Sequence, residues 1–225
     1  MTNPLKHKYL KRGALKDWTW GVVGVVLLAG CGGKKTDHPP VPVPTAPLPT
    51  AGLAGQKVSV MPLTLAAAED TLHWEALIAD RRTTLDKSDS IIGSLLTNRS
   101  PEVTWVGPAE LRRAARRAAG IAAEPDQMGT SFLRADQLID VPDPLRYQLR
   151  TLAGLSGARF VLVPAGLVFR QAPGTAAGVA TAELSVVLVD TRVGRVQWRT
   201  TARGEGQDPW TALTRAVKSL TPGLP

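Results

Sequence analysis

A single cysteine and three histidines are all that 225 residues contain of the usual metal-binding and redox side chains. With Cys31 alone, no disulfide can close within the chain and no zinc site can be assembled from thiolates. Of the histidines only His73 lies beyond the N-terminal forty residues, and no carboxylate cluster at ligand spacing accompanies it. Neither a metal nor a cofactor is expected. Phosphate-cradling and dinucleotide glycine fingerprints are absent. Gly154-Leu155-Ser156-Gly157 approaches a nucleophile elbow, but Ala158 stands where glycine is needed, and a helix C-terminus is the better reading. Asp89, Glu110, Glu183 and Asp190 are scattered among different segments. No catalytic residue is assigned, and the chain is not expected to be an enzyme. There is no internal repeat, and no apolar run reaches the ~20 residues that span a bilayer.

What is present is concentrated at the N-terminus. Lys6, Lys8, Lys11, Arg12 and Lys16 precede an apolar run from Trp18 to Leu28, short enough for a signal-peptide core. Setting residues 1–30 aside reduces 27 basic and 19 acidic side chains to 22 and 18, so the listed charge of +8 falls to about +4. The high isoelectric point then makes a poor case for nucleic acid, and no nucleic-acid partner is expected.

Leu28-Ala29-Gly30-Cys31 resembles a bacterial lipobox, with cleavage between Gly30 and Cys31 and lipidation of Cys31. The resemblance implies an exported protein held to a membrane by several acyl chains, a durable attachment where one chain would be weak. Gly32 stands where the inner-membrane retention signal has aspartate, so the outer membrane, facing the periplasm, is the expected location. Residues 31–56 follow as a linker in which Pro39, Pro40, Pro42, Pro44, Pro47 and Pro49 alternate with small and apolar residues. Proline fixes φ and removes a donor, so an extended spacer is expected. Some 25 residues at ~3.1 Å each would reach about 75 Å.

Residues 57–221 read as one folded domain. Lys57–Leu63 alternates like a strand, and Val103–Val106 reads as a second. Ser88–Asn98 has helical spacing at Ile91, Ile92, Leu95 and Leu96, with Asp86 or Ser88 as the cap. Pro108–Ala119 forms a helix with Leu111, Ala114, Ala115 and Ala118 inward and Arg112, Arg113, Arg116 and Arg117 outward. Asp143-Pro144 and Asp208-Pro209 each start a helix, as cap and first residue. Three strands lie at 159–169, 180–189 and 195–203, with Gly166 at a bulge, Gly194 in a hairpin loop, and Val196 and Trp198 on one face. Residues 64–86 and 120–142 show no clear period. The order is that of an α+β domain with a single mixed sheet and helices packed on one of its faces.

Three segments carry a resemblance: the VSVMPL strand from Val58, GARFVLVPAGLV from Gly157, and ELSVVLVDTRVGRVQW from Glu183. Similar patterns occur in the periplasmic α+β domain shared by curli-secretion pore subunits, lipoprotein activators of penicillin-binding proteins and the N-terminal domain of the Tol-Pal β-propeller protein. Covering roughly residues 57–221, the resemblance implies a fold and a non-enzymatic role in envelope assembly. It carries over no site residue. The leading expectation is a binding, adaptor or regulatory lipoprotein of the cell envelope. A subunit of an outer-membrane secretion or assembly complex and an envelope hydrolase are the alternatives. A secretion pore would need spanning strands of ~9–11 residues, for which only Phe169–Glu183 could offer room.

The expected contact surface is the four-arginine face of the second helix. Arg112/Arg116 and Arg113/Arg117 are i,i+4 like-charge pairs, which cost a helix a few tenths of a kcal/mol. Such a surface can bind carboxylate or phosphate bidentately, on an envelope protein or an acidic polymer. Alternatively, Glu110 and nearby acids neutralise it as an ordinary solvated face.

Overall fold

Six strands make one mixed sheet: β1 (Lys57–Val60), β2 (Ala66–Ala68), β3 (Thr104–Val106), β4 (Phe160–Gln171), β5 (Ala180–Asp190) and β6 (Arg195–Gly206). Four helices pack on it: α1 (Arg81–Arg99), α2 (Pro108–Arg117), α3 (Leu145–Ser156) and α4 (Pro209–Leu220). The computed structural model describes residues 46–172, 174 and 178–221, within the second of two units, Met1–Pro40 and Val41–Pro225. The signal segment with Gly30 and Cys31 lies outside the described residues.

The strand order is β3-β1-β4-β5-β6, with β2 also pairing with β4 beyond the end of β1. β1 runs parallel to β3 and β4, whereas β4, β5 and β6 form an antiparallel meander. The α+β class with a single mixed sheet agrees with the sequence reading. The covering does not, because helices lie on both faces. Successive residues of β4 and β5 are apolar, so each face of the central strands needs a cover. Leu162, Leu184, Val186 and Leu188 pack with α1 and α4, while Val161, Val163, Val187 and Val189 pack with α2 and α3.

Several local expectations hold. Register slips between Pro164 and Gly166, marking the bulge. Gly194 turns the β5–β6 hairpin at φ 72°, and Gly157 ends α3 at φ 70°. The Asp208 carboxylate accepts from the Trp210 and Thr211 amides, each at 3.0 Å, and caps α4. Only eight residues separate β4 from β5, too few for a pair of spanning strands.

Others need correction. α1 begins seven residues before Ser88, and its cap is Asp80, whose carboxylate accepts from Thr83 N–H at 2.8 Å. Its first turns are polar, and the buried face carries Thr84, Ser88 and Asp89, which hide the period. Asp143 does not cap α3; the residue before the helix is Pro144, and the Asp143 carboxylate pairs with Arg146 at 2.6 Å. Val196 and Trp198 lie on opposite faces, because Leu188 pairs with Trp198 while the next residue, Val189, pairs with Val196. Gln197 is the extra residue that flips the alternation. The packed body also starts ahead of Lys57. Thr50–Leu53 forms a 3-10 turn, Leu48 and Leu53 are buried, and Leu48 N–H donates to Leu220 C=O at 2.9 Å.

Candidate functional site

Two helix faces with the same spacing confront each other at one end of the sheet. On α1, Arg82, Leu85, Asp86 and Asp89 recur at i, i+3, i+4 and i+7; on α2, Ala109, Arg112, Arg113 and Arg116 do the same. Between them lies an open cleft of about 650 Å3, also lined by Leu63, Arg81, Glu124 and Asp126. Capping by Asp80 orients the first turn of α1, and Pro108 starts α2. A 3-10 turn, Pro125–Gln127, brings Asp126 against α2.

Arg112 holds the floor of this cleft together. Its guanidinium meets Asp126 through Nε (3.1 and 2.9 Å to the two oxygens) and Nη2 (2.7 Å). The same Nη2 donates to Asp89 Oδ2 at 3.0 Å and lies 3.5 Å from Asp86. Only 20% of the Arg112 side chain and 7% of Asp89 remain exposed. Asp89 Oδ1 in turn accepts from Leu63 N–H at 2.8 Å, tying α1 to the segment after β1. Burial pushes the Asp89 carboxyl up to about 6, although the Leu63 amide and the Arg112 charge pull it down. Arg112 is driven the other way from neutrality: the Asp126 hydrogen bonds raise its pKa further, against its desolvation.

The four arginines expected to act together are therefore divided. Arg112 points inward and is occupied by carboxylates from two other segments. Arg113 and Arg116 line the cleft, and Arg117 is exposed but does not. Among the described residues, Arg113 and Arg116 form no ion pair. Across from them, Arg81 donates to Thr64 C=O at 2.7 Å, and Arg82, 93% exposed, lies 3.8 Å from Asp86. The acids that answer the helix are Asp86, Asp89 and Asp126, not Glu110. Sequence reasoning missed these three, and Arg81 and Arg82 with them, because the partners lie 14 and 23 residues from Arg112. Buried polar residues on an otherwise apolar helix face, Ser88 and Asp89, were the signal that could have pointed here.

Chemically, the cleft offers exposed guanidiniums around a neutralised floor, which suits an anion held by bidentate hydrogen bonds. Among the described residues no group of three or more histidine, cysteine, aspartate or glutamate side chains is placed to hold a metal ion. Nor, among them, is any helix long and apolar enough to cross a membrane.

No protein-family model matches the chain, and no curated protein matches its sequence. Solved structures similar to it include the LpoB C-terminal domain from Salmonella enterica, 16% identical with a TM-score of 0.34, over 69% of this chain and 84% of that one. The PelC dodecamer from Paraburkholderia phytofirmans is 13% identical with a TM-score of 0.34, over 80% of this chain and 92% of that one. Lipoprotein GNA1162 from Neisseria meningitidis is 14% identical with a TM-score of 0.34, over 67% and 83%. At this distance the likeness carries no function across.

Proposed function

We propose that this chain is a lipid-anchored protein of the bacterial envelope that binds an anionic group of an envelope partner in the α1–α2 cleft, without catalysis. The Leu28–Cys31 lipobox pattern supports the location, with Cys31 as the lipidated residue and the outer membrane, facing the periplasm, as the destination. One observation carries the binding role: Arg113 and Arg116 line a cleft of about 650 Å3 with no carboxylate of the described chain bonded to them, while Arg112 beneath is already neutralised. Uncommitted guanidiniums over a rigid, ion-paired floor suit a carboxylate or phosphate presented by a protein or an acidic polymer.

The test separates location from binding. Cys31→Ser in the full-length chain should abolish incorporation of a fatty-acid label and release the protein from the membrane fraction. Unchanged labelling and retention would refute the anchor. For the cleft, the wild-type lipoprotein cross-linked in envelopes should yield a discrete adduct. Arg113→Glu with Arg116→Glu should reduce it at least tenfold while leaving the urea midpoint unchanged. Persistence of the adduct in that variant would refute the cleft as the binding surface.

A further inference from the structure

β6 is the outer strand of the sheet, twelve residues long, and a bare edge of that length invites pairing with other chains. Its first half is covered by the segment before α3. Val196 N–H donates to Ile139 C=O at 2.9 Å or closer, Asp140 bridges to Arg195, and Arg199 reaches the Ala135 and Leu138 carbonyls. The second half borders a cavity of about 210 Å3 lined by Thr200, Thr201, Ala202 and Arg203 on one side and Ser219 and Leu220 on the other. Ala46 lines the same cavity, and the Leu48–Leu220 hydrogen bond pins the chain just beyond it. The chain therefore enters the body beside this half of the edge. Two residues before Thr200 on the same strand, the buried indole N–H of Trp198 has no acceptor among the described residues.

The residues immediately before Ala46 read Val41-Pro42-Val43-Pro44-Thr45. In an extended strand the N–H and C=O of one residue point to one edge and those of the next residue to the other. Val41, Val43 and Thr45 thus present donors and acceptors on a single edge, while Pro42 and Pro44 leave the opposite edge without a donor. That is the composition of a strand able to pair on one side only, with proline closing the other.

We propose that Val41–Thr45 docks along Thr200–Arg203 as an added outer strand, so that the proline-rich segment seals the sheet. If so, the free spacer of the anchored protein shrinks from about 25 residues to about nine, residues 32–40. Its reach falls from about 75 Å to about 28 Å. The inference is independent of the cleft.

Hydrogen exchange by mass spectrometry on the detergent-solubilised lipoprotein tests it. The Val41, Val43 and Thr45 amides should exchange at least ~100-fold more slowly than in a free peptide. Val41→Pro with Val43→Pro should speed exchange of the β6 amides between Thr200 and Arg203, at any protein concentration. Free-peptide exchange at Val41 and Val43 would overturn the proposal. So would β6 protection that survives the double substitution, or that rises with concentration, the latter assigning the edge to a second copy of the chain.

Discussion

Removing Arg112 should destabilise the protein in a way that depends on pH. Arg112→Ala leaves Asp89, 7% exposed, with the Leu63 amide as its remaining partner, and strips Asp126 of its bidentate contact. Taking one member from a buried, hydrogen-bonded pair costs about 3–5 kcal/mol; with Arg112 still one-fifth exposed, about 2–4 kcal/mol is expected at pH 7.5. The wild-type Asp89 carboxyl, raised from 3.8 to about 6, binds its proton more tightly folded than unfolded. Its contribution to stability is complete below pH 4 and is lost as pH rises through 6, a difference of about 3 kcal/mol. Without Arg112 that carboxyl rises further, so the variant's deficit relative to wild type grows between pH 5 and 7.5 and shrinks in acid. Urea melts of both proteins at pH 5 and pH 7.5 read the difference directly. A second substitution, Asp89→Asn in the Arg112→Ala background, should recover part of the loss at pH 7.5. A deficit below about 0.5 kcal/mol at pH 7.5, or one equal at both pH values, would refute the buried-carboxylate reasoning.

Three further outcomes are expected. A Cβ on Gly204 would sit 2.2 Å from Ala216 N and 2.6 Å from Ala212 C=O, so Gly204→Ala must push α4 off β6. A loss of about 3 kcal/mol or more is expected in a urea melt, with partial detachment of α4 seen as faster amide exchange in Pro209–Leu220. Gly93, inside α1, meets nothing within 4 Å, and Gly93→Ala should raise stability by about 0.5–1 kcal/mol, visible as a higher urea midpoint at unchanged slope. Asp208→Ala should cost about 1 kcal/mol by releasing the Trp210 and Thr211 amides, and Asp208→Asn should restore most of it in the same melt.

What could be read from the sequence is what short-range chemistry decides. Gly157 and Gly194 were legible because a left-handed turn admits little else, and Asp208-Pro209 because cap and proline are adjacent in the chain. The three long strands were legible because their apolar alternation is continuous. β2 was not, since Ala66–Ala68 offers no β-branched or aromatic residue and exists by pairing with Leu167–Phe169 a hundred residues away. The start of α1 escaped notice because its buried face is partly polar, and a period measured in apolar residues begins late there.

The candidate site divides along the same line. That α2 carries four arginines is a fact of composition and helical spacing, determined by residues 108–117 alone. Which of the four is free to bind was decided only when the fold brought Asp89 from α1 and Asp126 from the following loop to Arg112, leaving Arg113 and Arg116 at the cleft. A carboxylate acts on a guanidinium over a few ångströms of space, whatever the number of residues between them, and only the packing of the chain sets that distance.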